Sequence, residues 1–317
     1  MDILKIIKSQ ISEISNGHES LGLDSVLSHI ERGEFLLEQG IKNQDEAFFT
    51  DTIYRTNQAF EGILKEAYSY LTGKSDYSNL TPFKIEKYLV DNNIFKERVL
   101  EQFTNYRQKW RNPSTHDHKL FFDHSEAFLA IISVLAFIHL LLNQIVEKIA
   151  HDAEAGKLKS KKKSIKKSIE DYDSKSNLSR LAALLMNFSN NTPEIEFVKS
   201  EYELLGMLSA YIEIADNNFE LIREPLLTNG RDDLRPDFLV KADKDEIVIE
   251  VKRIVTPRHI KTGLAQLLNY MELGNLSQGI LFVPPLKEDR NLLTIETKDV
   301  SIGSRTVEII MITPTTS

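Results

Sequence analysis

The chain has 317 residues, 41% of them hydrophobic and 27% charged, with a net charge of −8 and no cysteine. That length exceeds what one small core organises, so two domains are expected, and the composition is that of a folded chain rather than a disordered one. The lack of thiols excludes disulfides and zinc–thiolate centres and fits a reducing cytoplasm, while the acidic balance excludes a nonspecific coat for nucleic acid.

The first stretch, MDILKIIKSQISEIS, is amphipathic with acidic residues mixed in, unlike a secretory leader. Helical spacing continues through SVLSHIERGEFLLEQ and EAFFTDTIYRTNQAFEGILKEAYSYL, where Phe49, Ile53, Phe60, Ile63, Leu64, Ala67 and Tyr70 form one stripe. FKIEKYLVDN and KERVLEQFTNYRQKW read as two more helices. Asn112 precedes Pro113 and is biased away from helical angles, so the last of these is expected to stop near Arg111. DHSE offers a capping box, Asp123 with Glu126, for the helix that follows. That helix carries AFLAIISVLAFIHLLL, residues 127–142, which is shorter than the roughly 20 apolar residues of a membrane span and is interrupted by Ser133 and His139. It is read as a buried or dimer-interface helix, with no membrane. Residues 1–150 are therefore expected to form an all-helical bundle with a polar loop at one end.

Residues 151–177 change character, with lysines at 157, 159, 161, 162, 163, 166 and 167. They read as a solvated linker or exposed helix, or as an arm that tracks phosphates, in which Lys161, Lys162 and Lys163 would touch nucleic acid. Residues 178–317 read as an α/β domain with a mixed sheet. The expected order is a helix over 193–213, strands near 219–227, 235–242 and 246–254, a helix over 257–273, and strands over 278–285, 291–297 and 305–314.

If the second and third of these strands pair as a hairpin, Asp237, Glu250 and Lys252 come together. Glu250 and Lys252 are two apart and share a face of a strand that otherwise reads Ile247, Val248, Ile249, Val251. Inward charges there are unfavourable without compensation. A divalent cation held by carboxylate and carbonyl oxygens, Mg2+ or Mn2+, would supply it. The alternative is a surface hairpin with a salt bridge.

Pro236-Asp237, Glu250 thirteen positions on, and Val251-Lys252 resemble the PD-(D/E)XK nuclease superfamily over about residues 194–290. The resemblance implies a restriction-endonuclease-like fold, Asp237 and Glu250 as metal ligands and Lys252 as catalytic lysine. Members often carry a first-helix glutamate. On a helical wheel Glu201 falls with Val198, Leu205, Leu208 and Ile212 on the apolar face and Glu203 points away, so Glu201 is the candidate third ligand. Gln266 and Tyr270 match the Q-x3-Y signature of RecB-like members. Arg253 follows the lysine and is a candidate nucleic-acid contact.

In KWRNPSTHDHK, Arg111 and His116 are separated by four residues, with Asn112 directly after the arginine. Histidine can take a proton near neutral pH, and arginine can hold a phosphate. The spacing resembles the R-x4–6-H motif of HEPN domains over about residues 20–150. This implies metal-independent RNA cleavage in a cleft shared by two protomers, or an inactive bundle used for dimerisation or RNA binding. His118 and His124 read as candidates to join the site or, as lone loop histidines, as solvated.

Together these readings make the chain a two-domain nuclease and homodimer: a C-terminal metal site hydrolysing DNA or RNA and a HEPN-like site cutting RNA. Fusions of this kind imply, by analogy, a prokaryotic anti-phage effector. The rival from another class is a non-enzymatic dimer that binds nucleic acid or a partner.

Overall fold

In the computed structural model the chain divides into two units, Met1–Lys148 and Ile149–Ser317. The described residues are 3–15, 21–77, 79–116, 121–192, 195, 197–253, 256–285 and 293–314, the side chains at 15, 21, 115, 116 and 163 excepted. His118 lies outside them.

The first unit is helical: α1 (Ile3–Ser15), α2 (Leu21–Asn43), α3 (Glu46–Thr72), α4 (Pro82–Asp91), α5 (Glu97–Tyr106), α6 (Asn112–His116) and the larger part of α7 (His124–Leu158). Asp45 caps the start of α3, accepting from the Ala47 amide, and Gly73 ends it in the left-handed region at φ 70°, which a residue without a Cβ adopts freely. The buried face of α3 contains the expected apolar positions except Tyr70, whose place is taken by Tyr68 and Leu71. It also buries Thr52, Thr56 and Asn57. Phe60 packs on Phe103, Tyr106 and Phe137, with ring centroids 5.2, 4.7 and 5.1 Å away, and so ties α3 to α5 and α7.

Asp123 and Glu126 do form the capping box, each side chain accepting the other's backbone amide at 2.8–2.9 Å. α7 is long and apolar enough to cross a membrane by length and composition, yet 61% of its most apolar window is buried inside the protein. Its polar residues also have partners there: His139 contacts Gln10, Gln144 bonds Lys96 and Ile94, and Glu147 pairs with Lys96. The run is a core helix.

α5 does not end at Arg111 as expected. A single π turn, Arg107–Arg111, carries the chain into α6, and Asn112 keeps helical angles (φ −68°, ψ −48°) although proline follows. Its amide reaches back to the Arg107 carbonyl. The wider turn relieves the clash between a proline ring and the carbonyl four residues earlier, so the chain need not leave the helical path.

The second unit is a three-layer arrangement. Its six-stranded sheet has the order β1-β4-β5-β6-β8-β7. The strands are β1 (Glu220–Arg223), β4 (Phe238–Ala242), β5 (Asp245–Val251), β6 (Gln278–Phe282), β7 (Leu293–Ile302) and β8 (Arg305–Pro314), while β2 (Leu227–Thr228) and β3 (Asp233–Leu234) pair separately. β5–β6 and β6–β8 are parallel and the other pairs antiparallel, so the sheet is mixed. The apolar β6 is buried in the middle, as such a strand must be. One sheet face packs on α9 (Asn177–Asn191) and α10 (Glu201–Ala215), the other on α11 (Pro257–Leu273). The sequence reading did not pick out α9.

Residues 151–177 are not a separate linker. The end of α7, the short α8 (Lys162–Lys167) and the 3-10 turn Tyr172–Ser174 put Leu158, Ile165 and Tyr172 respectively into the same core as α9 and α10. Three of the lysines are engaged by the fold, Lys157 with Glu154 at 3.5 Å, Lys162 with Asn217 at 2.8 Å and Lys166 with Asp216 at 2.8 Å. Lys161 is exposed, and the Lys163 side chain is outside the described residues.

Candidate active sites

β4 and β5 run antiparallel with Phe238 opposite Ile249, so the next step of the register puts Asp237 opposite Glu250. Side chains directly opposite one another share a sheet face, and Lys252 shares that face with Glu250 by the two-residue period. The Asp237 carboxylate accepts the Val251 amide at 2.7 Å, and Lys252 Nζ donates to Glu250 Oε1 at 2.5 Å. Glu250 is 3% exposed, and its Oε2 has no hydrogen-bond partner among the described residues.

Burial, then the Glu250 charge, push the Asp237 carboxyl well above its usual range. Burial also raises Glu250, which the Lys252 bond lowers only in part. Lys252 is pulled down by burial, but its bond to Glu250 and the charges of Glu250, Asp237 and Glu201 outweigh that and hold it above its usual value. The stem of Lys252 runs along α11 at Gly263, where a Cβ would sit 3.1 Å from its Cγ and 2.9 Å from Leu281 Cδ1.

Glu201 is not on a buried face. α10 begins only at Glu201, because Ser200 caps it by accepting the Glu203 amide, and Glu201 is exposed in the first turn. Its charge nevertheless acts on Asp237, Glu250 and Lys252. Glu203 completes the cap by accepting the Lys199 amide at 2.7 Å, so it is unavailable to the site. Arg253 donates to the carbonyls of Val198 and Lys199 at 2.6 and 2.8 Å. That side chain holds the approach to α10, and with it the position of Glu201, instead of projecting toward a ligand. Gln266 is half-buried one helical turn beyond Gly263, while Tyr270 packs in the core with Leu267 and Met271. Among the described residues no group of three or more His, Asp or Glu side chains is gathered closely enough to hold a metal. The close set is the pair Asp237 and Glu250.

In the first unit, Arg111 closes the π turn and its guanidinium donates to Glu61 of α3 at 3.2–3.3 Å and to Asn112 Oδ1 at 3.3 Å. A buried polar network fixes the turn. Asn57 donates to Ser114 at 2.7 Å, Ser114 donates to the Arg111 carbonyl at 3.1 Å, and the Tyr106 hydroxyl lies 2.7 and 3.0 Å from Thr56 and Asn57. Arg111, Glu61 and Ser114 line a cavity of ≈ 670 Å³. His116 ends α6, and its side chain is outside the described residues. His124 is exposed and meets Phe49 edge-on at 5.8 Å.

Sequence reasoning missed Glu61 and the structural role of Arg253. The only signal for Glu61 was the polar interruption of the α3 stripe around Thr56 and Asn57. No family model, curated protein or solved structure matches the chain.

Proposed function

We propose that the chain is a nuclease with two centres: a metal-dependent phosphodiesterase of the PD-(D/E)XK kind acting on DNA, and a metal-independent ribonuclease of the HEPN kind. One observation carries the first reading. Asp237 and Glu250 face each other across the hairpin, both raised in pKa, with Lys252 beside them and one oxygen of Glu250 without a partner. The all-oxygen donor set fits a hard cation such as Mg2+ or Mn2+. Such an ion, when bound, supplies a polarised water and charge stabilisation at the scissile phosphate. Asp237 and Glu250 would hold it, and Glu201 adds negative charge from α10. Lys252, packed against Gly263, is placed to orient the water and to meet the charge that grows on the phosphate.

For the second centre, Arg111 would grip the phosphate with its planar fork and His116 would take the 2′-hydroxyl proton, leaving a 2′,3′-cyclic phosphate. Asn112, which touches Arg111, would help orient it. Two nucleic-acid-destroying centres on one cytoplasmic chain fit a defence effector, again by analogy. The test of the first centre is DNA cleavage with magnesium. Asp237→Ala, Glu250→Ala and Lys252→Ala are each expected to abolish it with the circular dichroism spectrum unchanged, and undiminished cutting in excess EDTA overturns the reading.

The hold of Glu61 on Arg111 favours a second reading, a non-enzymatic dimer in which this pair is structural. It requires that neither DNA nor RNA be cut under any metal condition.

A further inference from the structure

The cavity beside Arg111 is larger than one arginine needs, and two further guanidiniums border it. Its lining includes Arg32 of α2 and Arg55 of α3, together with Asp51, Tyr54 and Gln58. We propose that Arg32 and Arg55 form a nucleotide-phosphate subsite in this cavity, with Tyr54 as the stacking surface for the base. It rests on the ribonuclease reading only for what happens next door at Arg111; the binding itself stands apart from it.

The packing of α2 on α3 brings the two arginines together. Gly33, directly after Arg32, leaves room for α3: a Cβ built there would lie 3.7 Å from Arg55 Cβ and 3.8 Å from Thr56 Cγ2. The charges at the cavity do not cancel. Glu61 is engaged by Arg111, which leaves Arg32 and Arg55 against the single carboxylate of Asp51. The field of Arg55 reaches His29, which burial first and then that guanidinium hold below its usual pKa. Arg32 lies over the face of Phe35, 4.7 Å from the ring centroid, a contact that orients its fork without neutralising it.

The remaining walls select the ligand class. Paired planar forks match phosphate oxygens better than ammonium groups would. Tyr54 is 49% exposed, so its ring is open to stacking, and a base is the flat group that accompanies a phosphate. Gln58 is exposed and offers both a donor and an acceptor to a base edge. The volume, ≈ 670 Å³, lies inside the roughly 300–1,000 Å³ of small-ligand sites.

The experiment uses the full chain carrying Asp237→Ala, in EDTA, with a short fluorescein-labelled oligouridylate followed by anisotropy. Arg32→Ala and Arg55→Ala are each expected to weaken binding about tenfold, and each to reduce the dependence of log affinity on log salt by about one. Arg32→Lys and Arg55→Lys, which keep charge but lose the fork, should fall between, and Tyr54→Phe should bind as tightly as Tyr54 while Tyr54→Ala does not. Melting curves verify that these exposed substitutions leave the fold intact. Uridine monophosphate is added as competitor. Arginine-dependent displacement assigns a single nucleotide to the cavity, and arginine-dependent strand binding without displacement assigns a strand; either supports the subsite. Wild-type affinity and salt slope in the Arg32→Ala, Arg55→Ala double variant overturn it. Cyclic-phosphate ends scored on the same samples report the neighbouring centre, so binding without such ends retains the subsite and removes the ribonuclease reading.

Discussion

Two carboxyls that face each other in a buried hairpin cannot both ionise without compensation, and this ties the chemistry of Asp237 and Glu250 to stability. Both have folded-state pKa values above their usual 3.8 and 4.5. Below the unfolded values the protonated pair contributes its full stability, and that contribution is lost as pH rises through the folded values. Asp237→Asn mimics the protonated aspartate at every pH. Without metal, the variant should therefore gain on the wild type in melting temperature as pH rises from about 4 toward about 8. Magnesium at neutral pH should raise the wild type's melting temperature more than the variant's, since binding to the folded state alone stabilises it. Parallel pH curves for the two proteins would rule out the raised pair. Gly263 gives a second residue-scale test. Alanine in a helix is ordinarily favoured over glycine by about 1 kcal/mol. Here the added Cβ crowds Leu281 and the stem of Lys252. Gly263→Ala is expected to lower the turnover number on DNA while the magnesium-induced shift in melting temperature persists. Loss of that shift would place the glycine's role in the metal pair instead of the lysine.

At the scale of elements, what was legible in the sequence followed local composition. RPDFLV and EIVIEVKR are apolar runs on either side of a turn, so the hairpin could be read, and the two-residue period of side chains along a strand put Glu250 and Lys252 on one face with Asp237 opposite. The lysine segment was misread because seven cations mask a sparse apolar face. Leu158, Ile165 and Tyr172 are buried with α9 and α10. If that face holds the segment in place, Ile165→Ala should destabilise the second unit by about 2–5 kcal/mol in urea titration, whereas a solvated linker would give a change within about 0.5 kcal/mol. The π turn before Pro113 was not legible, because a residue before proline is biased away from the helical region and only the tertiary network of Asn57, Ser114 and Tyr106 holds it there. Glu201 was chosen from a wheel that assumed an earlier helix start. Ser200 begins the helix later and leaves the glutamate exposed, while the cap consumes Glu203.

For the whole molecule, the two proposed centres make different demands on assembly. The start of α7 exposes Phe128, Leu129 and Ile132 at 48%, 51% and 42%, and Phe121 just before it is 65% exposed. Residues three and four apart lie on one helix face, so Phe128, Leu129 and Ile132 form an apolar strip on α7 rather than isolated contacts. A second copy of the chain covering this strip would make the first unit the dimer interface. A HEPN-like centre drawing Arg111 and His116 from two protomers would then depend on it, whereas Asp237, Glu250 and Lys252 all come from one hairpin and need no partner. Leu129→Glu places a charge in the middle of the strip and should convert the proposed dimer to a monomer by light scattering at micromolar concentration. The same variant should lose cyclic-phosphate ends on RNA in EDTA and keep magnesium-dependent cutting of DNA. Asp237→Ala should show the reverse. A wild type that is already monomeric, or a Leu129→Glu monomer that still yields cyclic-phosphate ends, would remove the shared cleft and leave Arg111 and His116 acting within a single bundle.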